Sequence, residues 1–144
     1  MGRLRPDNRA DYRFHIDIAT RWNDNDPYGH VNNAVYYQFF DTVVNRWLIA
    51  RGLLRIGESA VIGLVVDTGC SYFAPLAFPG TVTAGLRVGR IGSSSVTYEI
   101  GLFGEGANES AARGHFTHVY VDDKTRRPAP LSDRLRKTLG ELTP

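Results

Sequence analysis

The chain predicts an α+β domain in which an antiparallel sheet wraps around one long helix, and three observations carry that prediction. From Asn33 to Arg51 the polar residues fall on a single helical stripe. Five other segments have strand-like composition or alternation. Short turns rich in Gly, Ser and Pro join the last four of them.

In chain order, Tyr12 to Ala19 alternates apolar Tyr12, Phe14, Ile16 and Ile18 with polar Arg13, His15 and Asp17, the period of a half-buried strand. In the helical stretch Gln38, Asp41, Thr42, Asn45 and Arg46 form the wet stripe and the remainder is apolar, so the helix must be covered over most of its circumference. Nineteen residues span about 28 Å, and Gly52 is placed to end the helix in a left-handed turn. Ala60 to Phe73 is rich in Val, Ile and Leu and stops at Pro75 and Pro79, which cannot donate to a sheet ladder. Val82 to Gly89 and Val96 to Leu102 alternate and are read as neighbouring antiparallel strands, and Ser110 to Val121 is a further long strand. The segment 122–144 begins as a Pro-interrupted basic loop, and Ser132 caps a short helix with Leu135, Leu139 and Leu142 on one face. One domain over residues 1–144 is expected, with its core at about 12–121.

Composition bounds the function. The chain has 144 residues, room for one core. Its 42% hydrophobic and 22% charged content is that of a globular domain. Seventeen basic residues nearly balance fifteen acidic ones, for a formal charge of +2, and no basic block dominates a helix, so nucleic-acid binding is not expected. Cys70 is the single cysteine, which rules out an internal disulfide and any Cys-rich zinc site. No stretch approaches the roughly 18 apolar residues of a membrane helix, and the basic N-terminus lacks an apolar core, so a cytoplasmic protein without a membrane partner is expected.

The segment Arg21 to Tyr37, RWNDNDPYGHVNNAVYY, crowds two acids, a histidine and several turn formers against the start of the apolar helix. The first N–H groups of a helix lack intrahelical partners and sit at the positive end of its dipole, a place where an acyl carbonyl can be polarised while a nearby carboxylate attacks. Asp26 is the candidate acid, as nucleophile or as general base toward water. The alternative is an ordinary turn carboxylate. Pro27 and Gly29 let the chain turn sharply, with Gly29 open to substrate approach. His30 either orients Asp26, contacts substrate or bonds a loop carbonyl. Asn32 and Asn33 are capping residues, Asp24 is read as a turn carboxylate, and Asp41 as a solvent or interface residue on the wet stripe. Tyr28, Tyr36 and Tyr37 supply packing or pocket walls. His115 and His118, three apart in a strand, point to opposite faces and form no simple metal pair.

The string DNDPYGHVNNAVYYQFF, followed by a long helix and a four-strand meander, resembles the hotdog-fold acyl-CoA thioesterases of the 4-hydroxybenzoyl-CoA thioesterase type and their YbgC-like relatives, in outline from Tyr12 to Val121. The resemblance implies that Asp26, directly before the motif proline, is catalytic, and that a backbone N–H near Asn33 polarises the thioester carbonyl. It implies a homodimer or homotetramer with active sites at subunit interfaces, and no cofactor, coenzyme A being part of the substrate. YbgC-like members often carry histidine where this chain has Asn33, so the side chain there is not expected to share their role. A coenzyme A substrate carries phosphates and calls for a basic rim. Arg87, Arg90, Arg126 and Arg127 are candidates with Ser93 to Ser95, and Tyr28, Gly29, Arg90, Ser94 and Arg126 are the expected substrate contacts. Three other readings accompany this one: an acyl carrier protein thioesterase, a non-catalytic acyl-ligand binder, and a hydratase. The Asp26 to His30 spacing argues against the last.

Overall fold

The computed structural model describes residues 4–144. Its main elements are β1 (Phe14–Ala19), α1 (Val35–Ala50), β2 (Val61–Tyr72), β3 (Thr81–Ile91), β4 (Ser95–Phe103), β5 (Ala112–Asp122) and α2 (Asp133–Leu139). The strands form one sheet in the order β1-β3-β4-β5-β2, antiparallel throughout.

The wet-stripe pattern of α1 is realised as expected. Phe39, Phe40, Val43, Val44 and Trp47 are buried against the inner face of the sheet with Leu86, Val96, Ile100, Leu102 and Phe116. Gly114 leaves room for the Phe40 ring, because a Cβ there would run into it. Truncating so large a fully buried side chain to alanine costs about 3–5 kcal/mol. The core extends beyond β5: Ser132 accepts the Leu135 N–H at the start of α2, and Leu131, Leu135, Leu139 and Leu142 join the same cluster.

Several boundaries and one connection differ from the sequence reading, that of β1 among them, which starts at Phe14 rather than Tyr12. The helix starts at Val35 rather than Asn33, because Asn32 holds residues 33 and 34 in a turn. The last strand starts at Ala112 rather than Ser110. Only β3, β4 and β5 form a meander. The eight residues Phe73 to Gly80, stiffened by Pro75 and Pro79, do not fold back as a hairpin, and β2 pairs with β5 at the far edge while β1 takes the place beside β3.

The outer face of the sheet is a charged lattice. Arg87 bonds Glu99 at 2.8 Å and Asp7 at 3.3 Å, and His115 Nε2 meets Asp67 at 2.7 Å. The Tyr12 ring lies across the paired glycines Gly85 and Gly101, under the Arg87 guanidinium at 4.6 Å, with its hydroxyl on Asp7 at 2.7 Å. The two edges contrast. β1 is six residues long, whereas β2 is twelve and exposes Leu64, Val65 and Val66, the last 60% accessible, along its unpaired side. Long apolar edges of this kind are templates for further strand pairing.

Candidate active site

The link from β1 to α1 is fastened at its base and free at its tip. The Arg21 N–H and guanidinium donate to the Asp24 carboxylate at 2.8 and 3.0 Å, which explains how an acid only 1% exposed is tolerated, and the Asp24 carbonyl accepts the Asn32 N–H. Asp24 is thus a structural turn carboxylate. The Asn25 side chain donates to the Phe78 carbonyl and accepts the Phe78 N–H, and the Val31 N–H donates to the Leu76 carbonyl. Asn25 and Val31 form a β-bridge, and the five residues between them project as a small loop.

Within that loop Asp26 donates its N–H to the His30 carbonyl at 2.8 Å, and its carbonyl accepts the Gly29 N–H at 3.1 Å, with Gly29 at φ 84°. Carboxylate oxygen Oδ1 of Asp26 accepts the Tyr28 N–H at 2.9 Å. Its Oδ2 accepts nothing among the described residues, so one oxygen is held and the other is not. An open depression of about 380 Å³ is lined by Trp22, Asn25, Asp26, Pro27 and Gly29. The Tyr28 side chain is 87% exposed. The exposed His30 ring makes no hydrogen bond among the described residues.

The entry to α1 is capped by one of its two asparagines. Oδ1 of Asn32 accepts the Ala34 N–H and its carbonyl accepts the Val35 N–H, both at 2.9 Å. A trans peptide points its N–H opposite to its C=O, so the bond to Val35 turns the Asn33 N–H away from the helix body. That N–H has no partner among the described residues, and it sits at the positive end of the α1 dipole. The exposed Asn33 side chain makes no hydrogen bond among the described residues.

Tyr72, which carried no motif signal, reaches the residue that bears this donor. The Tyr72 hydroxyl, at the end of β2, donates to the Asn33 carbonyl at 2.9 Å, and its ring stands edge-on to Tyr36 with centroids 4.8 Å apart. Burial raises the Tyr36 phenol above its usual range, opposed by a backbone bond to Leu76, with Cys70 and the Asp26 charge adding to the rise. Burial likewise pushes the Cys70 thiol up to about 11, so at neutral pH it is a thiol and not a nucleophilic thiolate. Asp41 is exposed and bonded to Asn45, as a residue of the wet stripe.

The expected basic rim is not beside Asp26 within one protomer. The Asp26 loop is anchored on residues 76–78, just before β3 begins, whereas Arg90 lies at the other end of that strand, about 30 Å away at ~3.3 Å per residue. Ser94 follows in the β3–β4 turn, its carbonyl accepting the N–H of Tyr120, and Arg126 lies in the turn after β5, so both share that distant end. Arg87 is committed to Glu99, Asp7 and the Tyr12 ring.

Residues 20–139 match a family model described as the thioesterase-like superfamily. The crystal structure of the PA5185 protein from Pseudomonas aeruginosa strain PAO1 is 51% identical, covers 96% of both chains and superposes with a TM-score of 0.92. A thioesterase from Thermus thermophilus, complexed with coenzyme A and Zn, is 28% identical over 92% of this chain and 95% of its own, with a TM-score of 0.77. The 1,4-dihydroxy-2-naphthoyl-CoA thioesterase from Synechocystis, at 18% identity and a TM-score of 0.80 over 90% of this chain and 96% of its own, shares the fold. No curated protein matches the chain. Among the described residues no helix is long and apolar enough to cross a membrane.

Proposed function

The chain belongs to the thioesterase-like superfamily and is a thioester hydrolase, and from that premise we propose that it hydrolyses acyl-coenzyme A with Asp26 as its catalytic carboxylate and Asn33 as its oxyanion donor. The observation that carries this reading is the Asn33 N–H, without a partner among the described residues and turned outward at the head of α1, a few residues after the loop that carries Asp26. The thioester carbonyl oxygen accepts that N–H. Negative charge grows on this oxygen as the carbon becomes tetrahedral, where a fixed donor and a helix dipole stabilise it more than they stabilise the ground state. Asp26 Oδ2 either attacks the carbonyl carbon, expelling the thiolate and leaving a mixed anhydride for water to open, or takes a proton from the attacking water. Both routes draw only on protein groups and water. The coenzyme A complex of the Thermus relative supports coenzyme A as the carrier.

The same reading calls for two copies. One protomer keeps Arg90, Ser94 and Arg126 at the opposite end of the sheet from Asp26. Antiparallel pairing of two β2 edges would set that end of one copy beside the Asp26 end of the other and would cover Leu64, Val65 and Val66. A solution mass of at least two chains is expected, and a stable monomer overturns the shared-site arrangement. The catalytic reading is tested with a panel of acyl- and aroyl-CoAs and acyl carrier protein thioesters in a free-thiol assay. Release that disappears in Asp26→Asn supports it. Absence of release from every substrate sinks it.

A further inference from the structure

The Asn33 N–H is useful only if it stays aimed, and its supports are of two kinds. Two are local: the Asn32 carbonyl on the Val35 N–H, and the Asn32 side chain on the Ala34 N–H. Both come from one neighbouring residue, whose own N–H donates to the Asp24 carbonyl, so they tie the turn to the β1–α1 link but not to the sheet. The third reaches across 39 residues, from the Tyr72 hydroxyl to the Asn33 carbonyl at 2.9 Å. We infer that Tyr72 is a positioning residue for the oxyanion donor, its hydroxyl tying the helix-entry turn to the sheet so that the Asn33 N–H holds its direction. The rate consequence rests on the thioesterase reading above; the structural consequence does not.

The strand end that carries Tyr72 is a firm anchor. β2 is paired with β5 up to Tyr72 opposite Ala112, and the next N–H, of Phe73, donates to the Ala111 carbonyl. The ring is held edge-on against Tyr36. Partial burial, with smaller contributions from Cys70 and Tyr37, moves the Tyr72 phenol above its usual range although the residue is 44% exposed, so it keeps the donated proton at neutral pH. A ring serving only as a pocket wall has no use for the hydroxyl. A tether depends on it.

Tyr72→Phe separates the two, because it keeps the ring and removes one oxygen. A donor left imprecisely aimed forfeits part of the ~10²-fold that a lost oxyanion donor costs. The expected result is a fall in kcat of about tenfold across all substrates, with KM within about twofold and thermal stability nearly unchanged. In ¹⁵N-labelled protein the Asn33 amide signal should shift and broaden relative to wild type. An unchanged kcat, or a raised KM at constant kcat, overturns the inference. Should wild-type protein turn over no acyl thioester, the thioesterase reading fails by itself and the amide signal alone decides for Tyr72: an Asn33 signal identical in wild type and Tyr72→Phe overturns the tether.

Discussion

The two ends of α1 treat their leftover backbone groups in opposite ways. At the C-terminal end Gly52, at φ 69°, lets its N–H reach the Ile49 carbonyl and the Leu53 N–H reach the Leu48 carbonyl, while Arg134 donates to the Arg51 carbonyl and Arg51 pairs with Glu141. At the N-terminal end only part of the demand is met: Asn32 serves Ala34 and Val35, and the Asn33 N–H is left open. The closed end joins the helix to α2 and the core. The open end faces a loop whose acid keeps one oxygen free. Under the proposed function, stability and chemistry are divided along a single helix, and substitutions at the two ends should separate into different measurements.

The largest effect is expected at the open end. Asp26→Asn should lower kcat on the order of 10³-fold while the melting temperature stays within a degree or two, because an asparagine Oδ1 still accepts the Tyr28 N–H. A matching loss of stability would break the division.

Next in size is a pH effect from neither end. His118 lies on the inner sheet face among Tyr98, Phe116 and Tyr120, with ring centroids 5.5, 5.3 and 5.8 Å away, and it is 2% exposed. Its Nδ1 has no partner among the described residues, and burial lowers its pKa from about 6.5 to about 4. The unfolded chain therefore binds the proton more tightly, so this contribution is complete above pH 6.5 and is lost as pH falls through 4. It amounts to about 3 kcal/mol between pH 7.5 and pH 4. Denaturant unfolding at those two pH values should show wild type losing that much more than His118→Phe, and equal losses would refute the assignment. Turnover at pH 7.5 should be the same in both.

The smallest effect belongs to the closed end. Gly52→Ala forces a side chain into a left-handed conformation with its Cβ 3.0 Å from the Arg134 guanidinium. A cost of about 1 kcal/mol is expected, or about 3 °C in melting temperature. Steady-state rates should not change, and a tenfold fall in kcat would show that the ends communicate.

What was legible in the sequence is mostly local chemistry. Gly52 as a helix stop, Ser132 as a cap, the wet stripe of α1 and the turn at Asp26, Pro27 and Gly29 each depend on residues within a few positions of one another. The motif around Asp26 forms the loop at the head of α1, and which of the two adjacent asparagines caps the helix depends on which one closes the turn. What was not legible is register over distance. Nothing in the apolar run of β2 says that it crosses to the far edge, that Tyr72 thereby meets Asn33, or that Arg90, Ser94 and Arg126 end up at the opposite end of the sheet from the Asp26 loop within one protomer. Strand periodicity assigns a face and leaves the neighbour open.

The Tyr12 ring on the outer sheet face has a consequence for how this sequence can drift. A Cβ on Gly85 would lie 2.8 Å from the ring, and one on Gly101 would lie 2.6 Å from it. Either substitution alone would lift the aromatic and with it the seat of Arg87 and the hydroxyl bound to Asp7. Larger residues at 85 or 101 should therefore be admitted only in descendants whose residue 12 has already become small, so that three positions far apart in the chain mutate in a fixed order.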